Sequence, residues 1–354
     1  MMRSVLTIDL GAIAANWRAL DAMTACETAA VVKADGYGLD AAKVAPALAK
    51  AGAQTFFVAL AEEAIPVRKA LGSGPRIFVF SGLMANDVSL CLEHDLIPLL
   101  NSPRQAEEAA RAARGSREKF KVGLQIDSGM NRLGFCESDD LGAFLASDIA
   151  QGLDIQLVMS HLACADEPAS EWNARQLASF RARKPVGIPA SLGATGGVLL
   201  GKEYHFDLTR PGVGLYGGLP FAGAQQVVSV EVPIIQRNAV KQGEIVGYDA
   251  IFVAPRDMTT VTIAAGYADG LIRAMGGKFS GFIKGQRVEA VGRVSMDLIT
   301  LDVSHIPEGA FGTGMVELLG PNQTVDKLAK AAETIGYEIL TSLGSRYQRK
   351  YIGA

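Results

Sequence analysis

Cysteine is sparse in this chain, and the few present are scattered. Cys26, Cys91, Cys136 and Cys164 form no Cys-x-x-Cys pair. That argues against a structural zinc site and suits reduced thiols in a cytoplasm. Long apolar runs are missing too: none approaches the ~20 residues of a membrane span. The opening residues, Met1 to Asp9, turn acidic too soon for a signal peptide, so the expected compartment is cytoplasmic. Positive charge is not in excess. A net charge of −3 and a pI near 5.9 make nucleic acid and anionic membrane poor partners. Asn-Gly hairpin turns, internal repeats and low-complexity segments are also absent.

What is present is a chain of 354 residues, 49% hydrophobic and 20% charged, enough for a large core and more than one typical domain. Strand-like runs alternate with helical segments up to about residue 217. The strand candidates are 29–33, 55–60, 76–80, 96–100, 120–127, 155–161, 186–190 and 206–208. Several are continuously apolar and all are separated by Ala/Glu/Lys/Arg-rich stretches, the pattern of a parallel sheet. Eight such units predict a (β/α)8 TIM-type barrel, with a doubly wound open sheet as the alternative. Beyond residue 226 the texture changes to short alternating or β-branched runs at 227–235, 244–248, 260–264, 281–284, 287–291, 298–303 and 315–318. One helix is expected at 324–335. The expected division is a barrel over 1–226, with residues 1–9 able to pair with the β domain, and a C-terminal mainly-β domain over 227–354.

In a barrel, chemistry sits at the carboxyl ends of the strands. The residues there are Lys33, Asp127 with Arg132, His161, Thr195 and Arg210. Lys33 ends an apolar run and precedes Gly36-Tyr37-Gly38. A lysine leaving the core is partly desolvated, which lowers its pKa and yields the neutral amine that Schiff-base chemistry needs. Each residue alone has a plainer explanation: a solvated loop lysine, a hydrogen-bonded core histidine, a surface arginine. Together they describe a site for a phosphate-bearing cofactor with an aldehyde. The β region adds Gly266-Tyr267-Ala268-Asp269-Gly270 and Gly292-Arg293-Val294-Ser295-Met296-Asp297.

These stretches, with Val32–Gly38, Asp127–Gly134, Ser160-His161-Leu162 and Arg210–Gly217, resemble in order and spacing the motifs of the alanine racemases. These are pyridoxal 5'-phosphate enzymes of the barrel-plus-β-domain type. The resemblance implies a homodimer with shared active sites that interconverts L- and D-alanine by a two-base mechanism, for peptidoglycan supply. It assigns Lys33 to hold the cofactor and to serve as base on the D-alanine side. Tyr267, from the partner subunit, would be the base on the L-alanine side. Arg132 and Met296 would contact the substrate. His161, Arg210, Tyr37, Thr195, Gly212, Val213 and Ser345 would bind the cofactor, the last five around its phosphate. Arg210 would face the pyridine nitrogen. An arginine only donates, so that nitrogen would stay unprotonated and side reactions would be suppressed.

This chain departs from the family pattern in places. Gln125 stands where a carbamylated lysine is common, Leu39 where a histidine is common, and Ser345 where a tyrosine is expected. Rival readings are a related amino-acid decarboxylase, a non-catalytic pyridoxal-phosphate carrier and a racemase of broader specificity, such as for serine. The first usually offers a cysteine from its β domain, and no cysteine follows Cys164. The β region and Tyr267 argue against the second. The third stays open, because a pocket fitted to one methyl discriminates by only ~1–3 kcal/mol.

Overall fold

The computed structural model describes residues 3–84, 86–114, 119–312 and 314–353. The chain forms two compact units, one of residues 13–224 and one combining the first twelve residues with residues 225 onward.

The first unit is a barrel. Its parallel sheet runs in chain order through Ala30–Val31, Thr55–Val58, Arg76–Val79, Ile97–Leu100, Phe120–Gln125, Leu153–Met159 and Ala190–Ser191. The eighth strand, Leu208–Thr209, pairs in parallel with Glu27–Thr28, which leads directly into Ala30–Val31. Amide donors close the ring on both sides of that strand. Ala29 N–H donates to Thr209 O at 2.9 Å and Val31 N–H to Pro211 O at 3.0 Å, while Asp207 donates to Ala190 and Arg210 to Gly193. No edge is left exposed at this seam, which is what closure accomplishes physically.

The strands read as unbroken apolar runs because both faces are covered. Thr55–Val58 and Ile97–Leu100 are buried at every position. Inside, Phe57 stacks on Phe78 and Phe80 with ring centroids 5.0 and 5.1 Å apart. The outer helices turn small apolar faces inward. Ala41–Ala51 buries Val44, Ala45 and Leu48, and Pro103–Ala113 buries Ala106, Ala109 and Ala110. Ser102 caps the latter by accepting from Gln105 N–H, with Pro103 at the first position.

The strand expected at 186–190 is displaced. Val186 is 96% exposed in the turn after helix Glu171–Arg183, and pairing begins only at Ala190. An apolar Val-Gly-Ile-Pro run imitates a strand, but Pro189 cannot donate to a ladder.

The second unit is built on an eight-stranded sheet. Val228–Val240 is its long spine, and Met258–Ile263, Met315–Leu319 and Val5–Asp9 all pair with it antiparallel. Val5–Asp9 also pairs in parallel with Gln348–Ile352, a strand the sequence pattern does not suggest because its polar residues alternate weakly. The strand expected at 244–248 reduces to a single bridge, Ile245 with Val253. The helix expected at 324–335 is shorter, Val325–Ala331 capped by Thr324, and a second helix, Gly336–Ser342, follows it. Among the described residues no helix is long and apolar enough to cross a membrane.

Candidate active site

At the carboxyl end of the first barrel strand the backbone does something L-residues rarely do. Ala34, Asp35, Gly36 and Tyr37 all have φ between 52° and 63°, and Gly38 follows at 82°. This is a turn of left-handed helix. Such geometry costs about 1–2 kcal/mol for each non-glycine residue, so three of them cost roughly 3–6 kcal/mol. Its surroundings hold it in place. Gly36 N–H donates to Val32 O and Gly38 N–H to Ala34 O. Glu63 accepts from Ala34 N–H at 3.1 Å and from Ala59 N–H at 2.8 Å, and Asp35 Oδ1 accepts from Ala41 N–H. The ring of Tyr37 stacks 4.4 Å from that of Tyr216, whose hydroxyl donates to Val31 O. Leu39 is fully buried.

Lys33 stands at the start of this turn, its Nζ 5.9 Å from the centre of the Phe80 ring. Burial lowers its pKa, Arg132 lowers it further, and Glu63 opposes them. His161 is pressed from the same directions. Desolvation first, then the charges of Arg210, Arg132 and Lys33, pull its pKa down to about 3. The imidazole is therefore neutral at physiological pH, a hydrogen-bonding group among three cations. Arg210 is 2% exposed, and its partners are all neutral oxygens. It donates to Ser191 Oγ, to Ser160 O at 2.7 Å and to Leu192 O at 3.3 Å. Burial brings its pKa to about 9, which leaves it charged at neutral pH. Its Cζ lies 5.9 Å from the Phe57 ring centre.

Arg132 rides on a loop that is tied at several points. Asp127 Oδ1 accepts from the amides of Gly129, Met130 and Asn131 at 2.9–3.1 Å. Asp127 and Phe135 bond across the loop's base, and Gly134, at φ 117°, has no room for a Cβ against the Asp127 amide. Gln125 donates from Nε2 to Leu133 O at 3.1 Å, so it steadies the loop through its backbone. A residue outside the sequence reading finishes the brace. Arg183, at the end of the outer helix, donates to Asp127 O, to Phe135 O at 2.9 Å and to Cys136 O at 2.6 Å. Nothing near Arg183 in sequence signals this, because its partners are carbonyls some fifty residues away.

A second cluster of hydroxyls and glycines lies on the same unit. Thr195 Oγ1 accepts from Gly212 N–H at 3.1 Å and Gly214 N–H at 3.2 Å. The Gly212 N–H is therefore already spent on Thr195. Thr195 keeps its own proton to donate. Gly212 admits no Cβ because the Tyr37 hydroxyl occupies that space. Val213 opens the short turn Val213–Tyr216, whose first amides have no partner within the turn.

In the other unit, Tyr267 and Met296 are brought side by side by backbone bonds. Tyr267 N–H donates to Ser295 O and Ala268 N–H to Met296 O, each at 3.0 Å. Gly266 makes this approach possible, since a Cβ there would overlap both carbonyls. Tyr267 is 40% exposed, Met296 is 53% exposed, and Ser345 is exposed in the turn before Tyr347.

Within the barrel unit, a lysine of lowered pKa among fixed cations is the equipment of an enzyme acting on a small anionic substrate. Two family models match, those of the alanine racemase N-terminal domain over residues 8–220 and C-terminal domain over residues 227–351. An alanine racemase of Cereibacter sphaeroides is 54% identical over 354 residues, 99% of both chains, and one of Rhodospirillum rubrum is 45% identical over 362. The structure of alanine racemase from Bartonella henselae with covalently bound pyridoxal phosphate matches with a TM-score of 0.93. It is 36% identical, spanning 99% of this chain and 100% of that one. The biosynthetic alanine racemase from Pseudomonas aeruginosa matches with a TM-score of 0.92 at 34% identity over 99% and 100%. The chain belongs to the alanine racemase family.

Proposed function

We propose that this protein interconverts L- and D-alanine with pyridoxal 5'-phosphate bound in its barrel, and that Lys33 and Tyr267 are the two bases. The observation that carries the reading is the convergence of Lys33, Arg132 and Arg210 on a neutral His161. Three cations opposed at Lys33 only by Glu63 suit a ligand that brings its own anions, a phosphate and a carboxylate. The donor set fits the cofactor. Lys33 has the depressed pKa of an amine that attacks an aldehyde. Tyr37 and Thr195 can donate hydroxyl protons to the phosphate, with Val213 beside them and Ser345 as a further hydroxyl. Arg210 would address the pyridine nitrogen and His161 the cofactor ring. The cofactor, when bound, withdraws electron density from the substrate Cα and so acidifies its proton.

The protein's own groups then divide the work. Arg132 holds the substrate carboxylate, and Met296 limits the space at the side chain. Lys33 Nζ takes or returns the α-proton on the D face, and Tyr267 Oη does so on the L face. A proton lost to one and regained from the other inverts the centre with no net redox change. Arg210 delivers no proton to the ring nitrogen because its protonated guanidinium only donates hydrogen bonds, without an acid beside it. That restrains charge delocalisation and favours prompt reprotonation at Cα.

A homodimer would let Tyr267 and Met296 serve the partner's barrel. Support comes from the apolar surface near that turn: Ile245, Tyr248, Ile251 and Val253 are all more than half exposed. Solvent-facing apolar residues in such number suit an interface between copies. The expected setting is the cytoplasm, the expected division a cofactor-binding barrel with a β domain, and the expected use of D-alanine is peptidoglycan.

The test is α-proton exchange in D2O from each enantiomer, with wild type, Lys33→Ala and Tyr267→Phe. Tyr267→Phe should lose exchange from L-alanine far more than from D-alanine. Equal retention of racemisation from both enantiomers would remove Tyr267 as a base.

A further inference from the structure

Arg346 belongs to none of the motifs above, yet its guanidinium makes a forked ionic contact in the β unit. Nε donates to Asp269 Oδ1 at 2.7 Å and Nη2 to Asp269 Oδ2 at 2.6 Å, a fork matched to both carboxylate oxygens. Nη1 reaches the other way, to Asp297 Oδ1 at 2.7 Å. Asp269 is only 4% exposed, and its Oδ2 also accepts from Gly266 N–H at 2.9 Å. One side chain thus grips two short segments at once. The first, Gly266 to Gly270, carries Tyr267; the second, ending in Asp297, carries Met296. Between them run the Tyr267–Ser295 and Ala268–Met296 backbone bonds, and Gly344 N–H adds a bond to Asp269 O at 3.3 Å. The first holds only a single 3-10 turn, Tyr267–Asp269, and the second no regular element. Each is a turn, and turns move unless something holds them.

We infer that Arg346 is a positioning residue for proton transfer: through Asp269 and Asp297 it sets the Tyr267 phenol and the Met296 side chain as one rigid piece. The inference rests on the reading of Tyr267 as the L-face base. An arginine is suited to the task and a lysine is not, because only a planar fork spans both Asp269 oxygens while a third N–H reaches Asp297. A purely structural clamp would lower stability and slow both directions alike. A positioning clamp acts on one face of the substrate.

The holoenzyme forms of wild type, Arg346→Lys, Asp297→Asn and Tyr267→Phe separate these cases. In D2O, Arg346→Lys should exchange the α-proton of L-alanine on the order of tenfold to a hundredfold more slowly, the scale expected when a reacting group is displaced by about 1 Å. Exchange from D-alanine with retention should stay within about twofold. Hydrogen–deuterium exchange at the amides of 266–270 and 293–297 should quicken in the same variant, a readout independent of turnover. Asp297→Asn spares the buried pair. It should loosen only 293–297, with a smaller loss of the same asymmetric kind, and it carries the test if Arg346→Lys fails to accumulate. Equal loss from both enantiomers, or unchanged amide exchange in both variants, overturns the inference while Tyr267→Phe remains asymmetric. If Tyr267→Phe itself shows no asymmetry, the base assignment falls first and the inference with it.

Discussion

Removing the Arg183 guanidinium should weaken the barrel and the substrate contact together. Arg183→Ala leaves the carbonyls of Asp127, Phe135 and Cys136 without their donor. Two of those sites are only partly buried and the third is exposed, so water recovers some of the loss. At about 1 kcal/mol net for each bond, the variant should be destabilised by about 2–4 kcal/mol. For a unit of this size that corresponds to a melting point lower by roughly 5–12 °C. The second effect is on the loop between residues 127 and 135. Asp127 would still cap three amides and Gln125 would still hold Leu133, but the base of the loop could widen. Arg132 would then meet the carboxylate less well, and KM for alanine should rise about 5–30-fold, which is about 1–2 kcal/mol of binding. Calorimetry and steady-state kinetics in both directions measure the two effects. Arg183→Lys should recover part of the stability and little of the KM. A melting point within 1–2 °C of wild type (about 0.5 kcal/mol or less) with unchanged KM would refute the idea that this arginine braces the loop.

Other perturbations have equally definite outcomes. Thr195→Val strands the Gly212 and Gly214 amides and removes a hydroxyl proton, so cofactor retention on dialysis should fall by about tenfold or more, at ~1–3 kcal/mol for each orphaned group; undiminished retention would count against it. His161 has a folded pKa of about 3 against 6.5 when free, so its contribution is complete above pH 6.5 and is lost as pH falls toward 3. At ~1.36 kcal/mol per unit the ceiling is about 5 kcal/mol, and His161→Gln should flatten that acid limb of the stability curve, as unfolding at stepped pH will reveal. Gly266→Ala drives a methyl into the Ser295 and Met296 carbonyls, and exchange from L-alanine should drop at least tenfold, about 1.4 kcal/mol; normal rates would mean the turn is more yielding than its packing implies.

Much of the barrel is legible because burial on both faces forces long apolar strands, and seven of eight lie within a few residues of their expected places. The exception, at 186–190, shows the limit of composition: Val186 to Pro189 is apolar enough to be a strand, but a proline and a turn defer pairing to Ala190. Gln348–Ile352 escapes notice for the opposite reason, since an edge strand with no buried position carries little periodic signal. At the site, Lys33, Arg132, His161 and Arg210 stand at strand ends and could be listed from pattern. Arg183 and Arg346 could not. Arginines that bond backbone carbonyls, as Arg183, Arg210 and Arg68 all do, have no complementary acidic residue to betray them. The Arg346 pairing spans 77 residues of chain, which no local window sees.

The left-handed turn after Lys33 has one more consequence. A stretch that would not choose its own shape is a spring held shut by its neighbours: Glu63 on one side, Tyr216 on another, Ala41 on a third. Lys33 therefore owes its position to parts of the barrel far along the chain. If any of those restraints slackens, this stretch should be among the first to let go, before the strands around it separate. Lys33 is in that sense a gauge of whether the ring is whole: a partly assembled barrel would carry the residue but not its geometry.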